Sequence, residues 1–272
     1  MAETRFAQND GVRIAYETRG ERGPWLVLVF GVGFARWGWD PIAQPLAEKY
    51  RLVLIDNRGI GESDVPTPPY RVREMAADVI AVMDDAGVER AHVVGTSLGG
   101  LIAQELAIIY PERVDKLVLV CTTPGGPDSY PMPEASVAAI AAAMTLPPEQ
   151  GLLRFVENAL APDTVANRRD LVETIWKCRL AKPPNPVGHQ GQFSAGAGFD
   201  ASTRLDRIKA PTLVFHGTVD GVVDPRNSEL LAKGIPGAKL EWLEGAGHLM
   251  FWEQPERCVE VLCEFLDGSI QG

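Results

Sequence analysis

Residues 91–100, AHVVGTSLGG, carry an apolar stretch straight into a cluster of glycines around one serine. Gly95, Ser97 and Gly99 form G-x-S-x-G, and the following LGGLIAQELAIIYPERV has helical apolar spacing that runs to Tyr110, just before Pro111. A strand that reverses into a helix within so few residues strains the backbone at its apex and needs flanking positions without side chains. Gly95, Gly99 and Gly100 meet that need. Ser97 then stands above the carboxyl end of a strand, with helix N-terminal N–H groups behind it that suit a developing oxyanion. An ordinary strand-to-helix turn satisfies the same short spacing, so the motif needs support from the rest of the chain.

Similar apolar runs occur on both sides: VRIAYET from Val12, WLVLVF from Trp25, RLVLID from Arg51, KLVLVC from Lys116, TLVFHG from Thr212 and KLEWL from Lys239. Most are nearly continuous in apolar residues, as strands covered on both faces of a parallel sheet must be. Between them YRVREMAADVIAVMDDAGV sets Met75, Val79, Val82 and Met83 on one stripe and stops at Gly87. Strand alternating with helix predicts an α/β fold with a mostly parallel, doubly wound sheet. From about Pro124 to Arg204 the rhythm stops. ASVAAIAAAM and EQGLLRFVENAL read as helices and KPPNPVGH as a Pro-broken turn. A structureless loop of that length does not suit a compact domain, so residues 124–204 are expected to form a helical cap on a core of 1–123 and 205–272.

Composition narrows the function. A formal net charge of −10 works against nucleic acid and anionic membrane as partners. MAETRFAQND lacks the basic start and apolar stretch of a secretory signal, and no run approaches the ~20 apolar residues of a membrane span. Cys121, Cys178, Cys258 and Cys263 show no C-x-x-C pair and read as reduced thiols in a cytoplasmic protein, without metal. Gly31 and Gly33 do not complete G-x-G-x-x-G, so no dinucleotide or other cofactor is expected. The sequence carries no signal for an oligomeric state.

A serine hydroxyl is a weak nucleophile that needs a base, itself held by a carboxylate, in the chain order Ser, acid, His. TLVFHGTVDGVVD puts Asp220 just past a strand's carboxyl end, and KLEWLEGAGHLMFWEQPE puts His248 in a Gly-rich loop after the next strand. Asp224, and Asp128 in CTTPGGPD, compete for the acid role, with Asp220 preferred. Of the other histidines, His92 opens a strand at the wrong end, His216 suits orientation of the Asp220 loop, and His189 lies in the cap, where it could line a pocket.

These features together resemble the α/β-hydrolase superfamily, from Val12 to Leu266, with the cap matching only loosely; DNRGIGESD at 56–64 is similar to a loop that many members carry. The resemblance is nearest to bacterial serine esterases, methylesterases and enol-lactonases. It implies a helical cap inserted after the sixth strand. It also implies a small-molecule ester or lactone as substrate, with Ser97 as nucleophile. Asp in place of Ser97 would suit dehalogenases, and Cys dienelactone hydrolases. Members commonly have His-Gly after the third strand, but LVFGVG has Phe30 there. By likeness the oxyanion donors are the Val32 and Leu98 N–H groups, which do not depend on that side chain. Phe34, Trp37, Phe193 and Leu249 are the expected substrate contacts, with Arg36 as a neighbour. Trp39, Met250, Phe251 and Trp252 are expected in the core, and Arg58 and Ser63 in a structural turn. The same triad serves C–C bond hydrolysis, enol-lactone opening and cofactor-free perhydrolysis, and a slow-turnover ligand receptor is the alternative outside enzymes.

Overall fold

The computed structural model describes residues 3–268. Its eight strands are β1 (Arg5–Asn9), β2 (Val12–Arg19), β3 (Trp25–Val29), β4 (Arg51–Ile55), β5 (Ala91–Thr96), β6 (Val114–Val120), β7 (Thr212–Gly217) and β8 (Lys239–Leu243). They form one sheet in the order β1-β2-β4-β3-β5-β6-β7-β8. β2 pairs antiparallel with β1 and with β4, and every other pair is parallel.

The nearly unbroken apolar runs have a physical cause. In a strand, neighbours point to opposite faces, and here both faces are covered. Val27, Val53, Val93, Leu117 and Val214 enter one core, while Leu28, Leu54, Val94, Val118 and Phe215 enter the other. Helices α1 (Asp40–Ala47), α2 (Val72–Asp85) and α3 (Leu98–Ile109) connect the early strands. Met75, Val79, Val82 and Met83 of α2 are buried in the first core, as their spacing predicts. Past the end of α2, Gly87 takes φ +72, and the Val88 N–H reaches back to the Met83 carbonyl at 2.8 Å, an arrangement that closes a helix with glycine.

Between β6 and β7 lie α4 (Glu134–Ala143), α5 (Pro148–Ala159), α6 (Pro162–Asn167), α7 (Arg169–Ala181) and α8 (Pro186–Ala197), and no strand. The stretch KPPNPVGH is a turn only to Asn185. The Asn185 side chain accepts from the Val187 and Gly188 N–H groups and Pro186 begins α8, because proline tolerates a first helical position whose N–H has no acceptor. After β7 come α9 (Arg226–Gly234), α10 (Met250–Glu253) and α11 (Pro255–Leu266), the last packed with α1 in the second core. No helix of the described residues is long and apolar enough to cross a membrane.

One strand escaped the sequence reading. β1 pairs with β2 through a two-residue turn in which Asp10 (φ 48) and Gly11 (φ 81) are both left-handed. Asp-Gly is a strong hairpin signal, but the single buried residue of β1, Ala7, hides the strand from an apolar-run search.

Candidate active site

The strand order reverses where β3 lies between β4 and β5, and open α/β sheets bind ligands outside the carboxyl ends of strands at such a point. The loop after β3 and the turn after β5 therefore meet. A Cβ placed on Gly31 would stand 2.9 Å from Ser97 Cβ. Ser97 has φ 55 and ψ −120, a conformation that only glycine adopts readily, and leads directly into α3. Its glycines are there for space: a Cβ on Gly95 would collide with the Gly99 carbonyl, and one on Gly99 with the Val29 carbonyl. From the strand side the Ser97 N–H donates to the Val120 carbonyl at 2.9 Å. Leu98 is the first residue of α3, where the helix offers its N–H no acceptor.

Asp220 and His248 come from the loops after the neighbouring strands β7 and β8. His248 Nδ1 lies 2.7 Å from Asp220 Oδ2. The same oxygen lies 3.0 Å from His216 Nε2, while Asp220 Oδ1 accepts from the Val222 and Val223 N–H groups at 2.7 and 3.0 Å. Burial pushes the Asp220 carboxyl up, but the neighbouring histidines outweigh it, by charge and by hydrogen bonds, and hold it well below the usual range. His216 Nδ1 faces Ser228 Oγ at 2.5 Å. With Nε2 protonated, His216 donates to Asp220 and Nδ1 accepts from the serine hydroxyl. Asp224 is turned away, forked to its near neighbour Arg226, and Asp128 is exposed. His92 lies against Asp115 at the opposite end of β5.

Ser97 and His248 line one cavity of about 170 Å³ with Val32, Phe34, Phe193 and Leu249, all expected there, and with Phe155, Arg179 and His189 from the inserted helices. Trp37 does not line it. Its ring packs on Phe34 at 5.0 Å and on Trp252 at 6.0 Å, and it borders a separate outer cleft. Arg36 borders that cleft too, paired with Glu17, Asp56 and Glu62. Phe30 packs its ring 4.9 Å from both Phe34 and Trp39, and Asn57 Nδ2 donates to its carbonyl at 2.9 Å, so packing and a side-chain amide steer the loop. Trp39, Met250 and Phe251 are core residues, and Ser63 and Arg58 brace the 56–64 turn against Asp56 and Asp78.

Other polar residues escaped the sequence reading. Gln192 accepts from the Gly33 N–H at 2.9 Å and donates to the Arg58 carbonyl at 2.9 Å, tying α8 to two loops of the sheet. Glu253 accepts from the Ala161 and Gly247 N–H groups at 2.8 and 2.7 Å, joining the inserted segment to the His248 loop. Cys121, Asp220 and His248 are close enough together to suggest a metal site. Their donor atoms are already engaged: Asp220 Oδ2 is shared by two imidazoles, and Cys121 Sγ lies 3.4 Å from Met250 Sδ.

Residues 24–255 match the family model described as alpha/beta hydrolase fold, and the chain belongs to that family. It is 33% identical over 266 residues to a 2-hydroxy-6-oxononadienedioate/2-hydroxy-6-oxononatrienedioate hydrolase of Paraburkholderia phymatum, covering 94% of this chain and 91% of the relative. Among solved structures, a hydrolase from Pseudomonas aeruginosa superposes with a TM-score of 0.85 at 32% identity, covering 97% of this chain and 98% of the other. The enol-lactonase of Burkholderia xenovorans superposes with a TM-score of 0.85 at 26% identity, covering 97% and 100%.

Proposed function

We propose that this hydrolase cleaves a small or medium carboxylic ester or lactone through an acyl-enzyme on Ser97. The observation that carries the reading is the 2.7 Å contact of His248 Nδ1 with buried Asp220, on the cavity that strained Ser97 also lines. Ser97 Oγ attacks the carbonyl carbon as His248 Nε2 takes its proton, and the Val32 and Leu98 N–H groups hold the oxyanion. The intermediate collapses, the C–O bond to the leaving group breaks, and His248 returns the proton to the departing oxygen. Water, deprotonated by His248, attacks the acyl-enzyme, and release of the acid restores Ser97. Asp220 keeps the imidazole in the tautomer with Nδ1–H and stabilises its charged form.

Residues 124–204 act as a cap that selects the acyl part, over a core of 1–123 and 205–272. A cavity of about 170 Å³ suits a short acyl chain. Four free cysteines suit a reducing cytoplasm. The Paraburkholderia relative's name supports a second reading, C–C bond hydrolysis on the same three residues. The test is fluorophosphonate labelling with a panel of aryl esters, lactones and vinylogous 1,5-diketones. Wild type is expected to be labelled on Ser97 and to turn over esters repeatedly, and Ser97→Ala to do neither. Labelling elsewhere, or turnover of the diketones alone, refutes the ester reading.

A further inference from the structure

Arg179, on the last turn of α7, is a buried cation with nothing opposite it. It is 6% exposed, its Nε has no hydrogen-bond acceptor, and among the described residues no carboxylate pairs with it. The other buried arginines behave differently: Arg36 meets Glu17, Asp56 and Glu62, and Arg58 meets Asp78 and Glu74. Arg179 instead lies over Phe34, its guanidinium carbon 4.4 Å from the ring centre, and lines the cavity of Ser97 and His248. No Asp or Glu lines that cavity.

The neighbours keep the charge available. A Cβ on Gly33 would stand 3.0 Å from Arg179 Nη2 and 2.9 Å from the His189 ring, so the absent side chain leaves the guanidinium room beside the loop of Val32. Burial, and then the charge of Arg179, draws the His189 imidazole down to about 4, so it is neutral at pH 7 and can hydrogen-bond without competing as a second cation. Burial alone draws Arg179 down to about 10, which leaves it protonated at that pH. An unpaired buried guanidinium is unfavourable, and a planar carboxylate fits its fork of N–H donors with two parallel bonds.

We infer that Arg179 forms an anion subsite in the Ser97 cavity, and that the substrate is an ester or lactone carrying a second, free carboxylate. The scissile carbonyl sits at Ser97 and the carboxylate at Arg179, with Phe34, Phe155 and Phe193 walling the apolar spacer between them. This rests on Ser97 being the nucleophile, and the test separates the two claims.

Mono-4-nitrophenyl esters of C4 to C7 dicarboxylic acids are compared with their methyl-capped counterparts, after subtraction of spontaneous hydrolysis. In wild type the free acid is expected to exceed the capped ester at least ~10-fold in kcat/KM at the best chain length, the scale of one charge-assisted hydrogen bond. Arg179→Gln and Arg179→Met should bring the ratio near one, and Arg179→Lys should retain part of it. A wild-type ratio of one or less at every length overturns the subsite whether or not any variant folds, as does a ratio that survives in folded Gln and Met variants. Calorimetric titration of Ser97→Ala with glutarate and adipate, against their diamides, reads the subsite without turnover. If no ester is cleaved, dicarboxylate binding that Arg179→Gln abolishes upholds the subsite and its absence sinks it, whereas ester cleavage without preference sinks the subsite and leaves the hydrolase standing.

Discussion

Replacing Ser97 by glycine should stabilise the protein while removing the proposed nucleophile. Ser97 holds φ 55 and ψ −120, a region where an L side chain stores about 1–3 kcal/mol of strain. Glycine relieves that strain but adds freedom to the unfolded chain, which takes back about 0.5–1 kcal/mol. Ser97→Ala is the proper reference, because it removes the hydroxyl and keeps the Cβ. Subtraction leaves Ser97→Gly up to about 2.5 kcal/mol more stable than Ser97→Ala, and about 1 kcal/mol at mid-range, with each kcal/mol raising Tm by about 2–4 °C in a domain near this size. Equilibrium urea unfolding followed by tryptophan fluorescence measures the difference, and fluorophosphonate labelling should be lost in both variants. If Ser97→Gly is no more stable than Ser97→Ala, the backbone is not strained at the apex, and the turn's shape is not what the nucleophile imposes on the fold.

Asp220→Asn should lower kcat on an aryl ester by up to ~10⁴ by favouring the wrong His248 tautomer, whereas Asp224→Asn, whose partner is Arg226, should change it little; the reverse ranking in steady-state kinetics would move the acid. The folded His189 imidazole, at about 4, sits below its unfolded value of about 6.5, so the unfolded chain takes up the proton first. Stability should therefore fall as pH drops from about 6.5 to about 4, by at most on the order of 3 kcal/mol, and His189→Gln should lack that loss in denaturant titrations across the window. Trimming Phe155 or Phe193 to leucine should shift the acyl-chain optimum towards longer chains, each methylene being worth roughly 1–3 kcal/mol of discrimination; a profile unmoved by either change would remove the cap from selectivity.

Much of the sheet, and the chain order of Ser97, Asp220 and His248, follow from sequence alone. Continuous apolar runs announce strands buried on both faces, and Gly95, Ser97 and Gly99 between a strand and a helix announce a tight turn, because only small residues survive the close backbone approach there. Asp220 and His248 are legible because each follows a strand in the order the chemistry needs. β1 was not, since a largely exposed edge strand gives little apolar signal. Nor were Gln192, Glu253 and Arg179: each acts on groups far away in sequence, and a polar side chain in a helix looks the same in the chain whether it meets water, a backbone amide or a cavity. Trp37 shows the converse, a residue beside the right loop whose ring packs on Phe34 and Trp252 and borders the outer cleft instead of the Ser97 cavity. Tertiary structure decides these matters, because burial and partnership belong to the assembled layers and local spacing does not encode them.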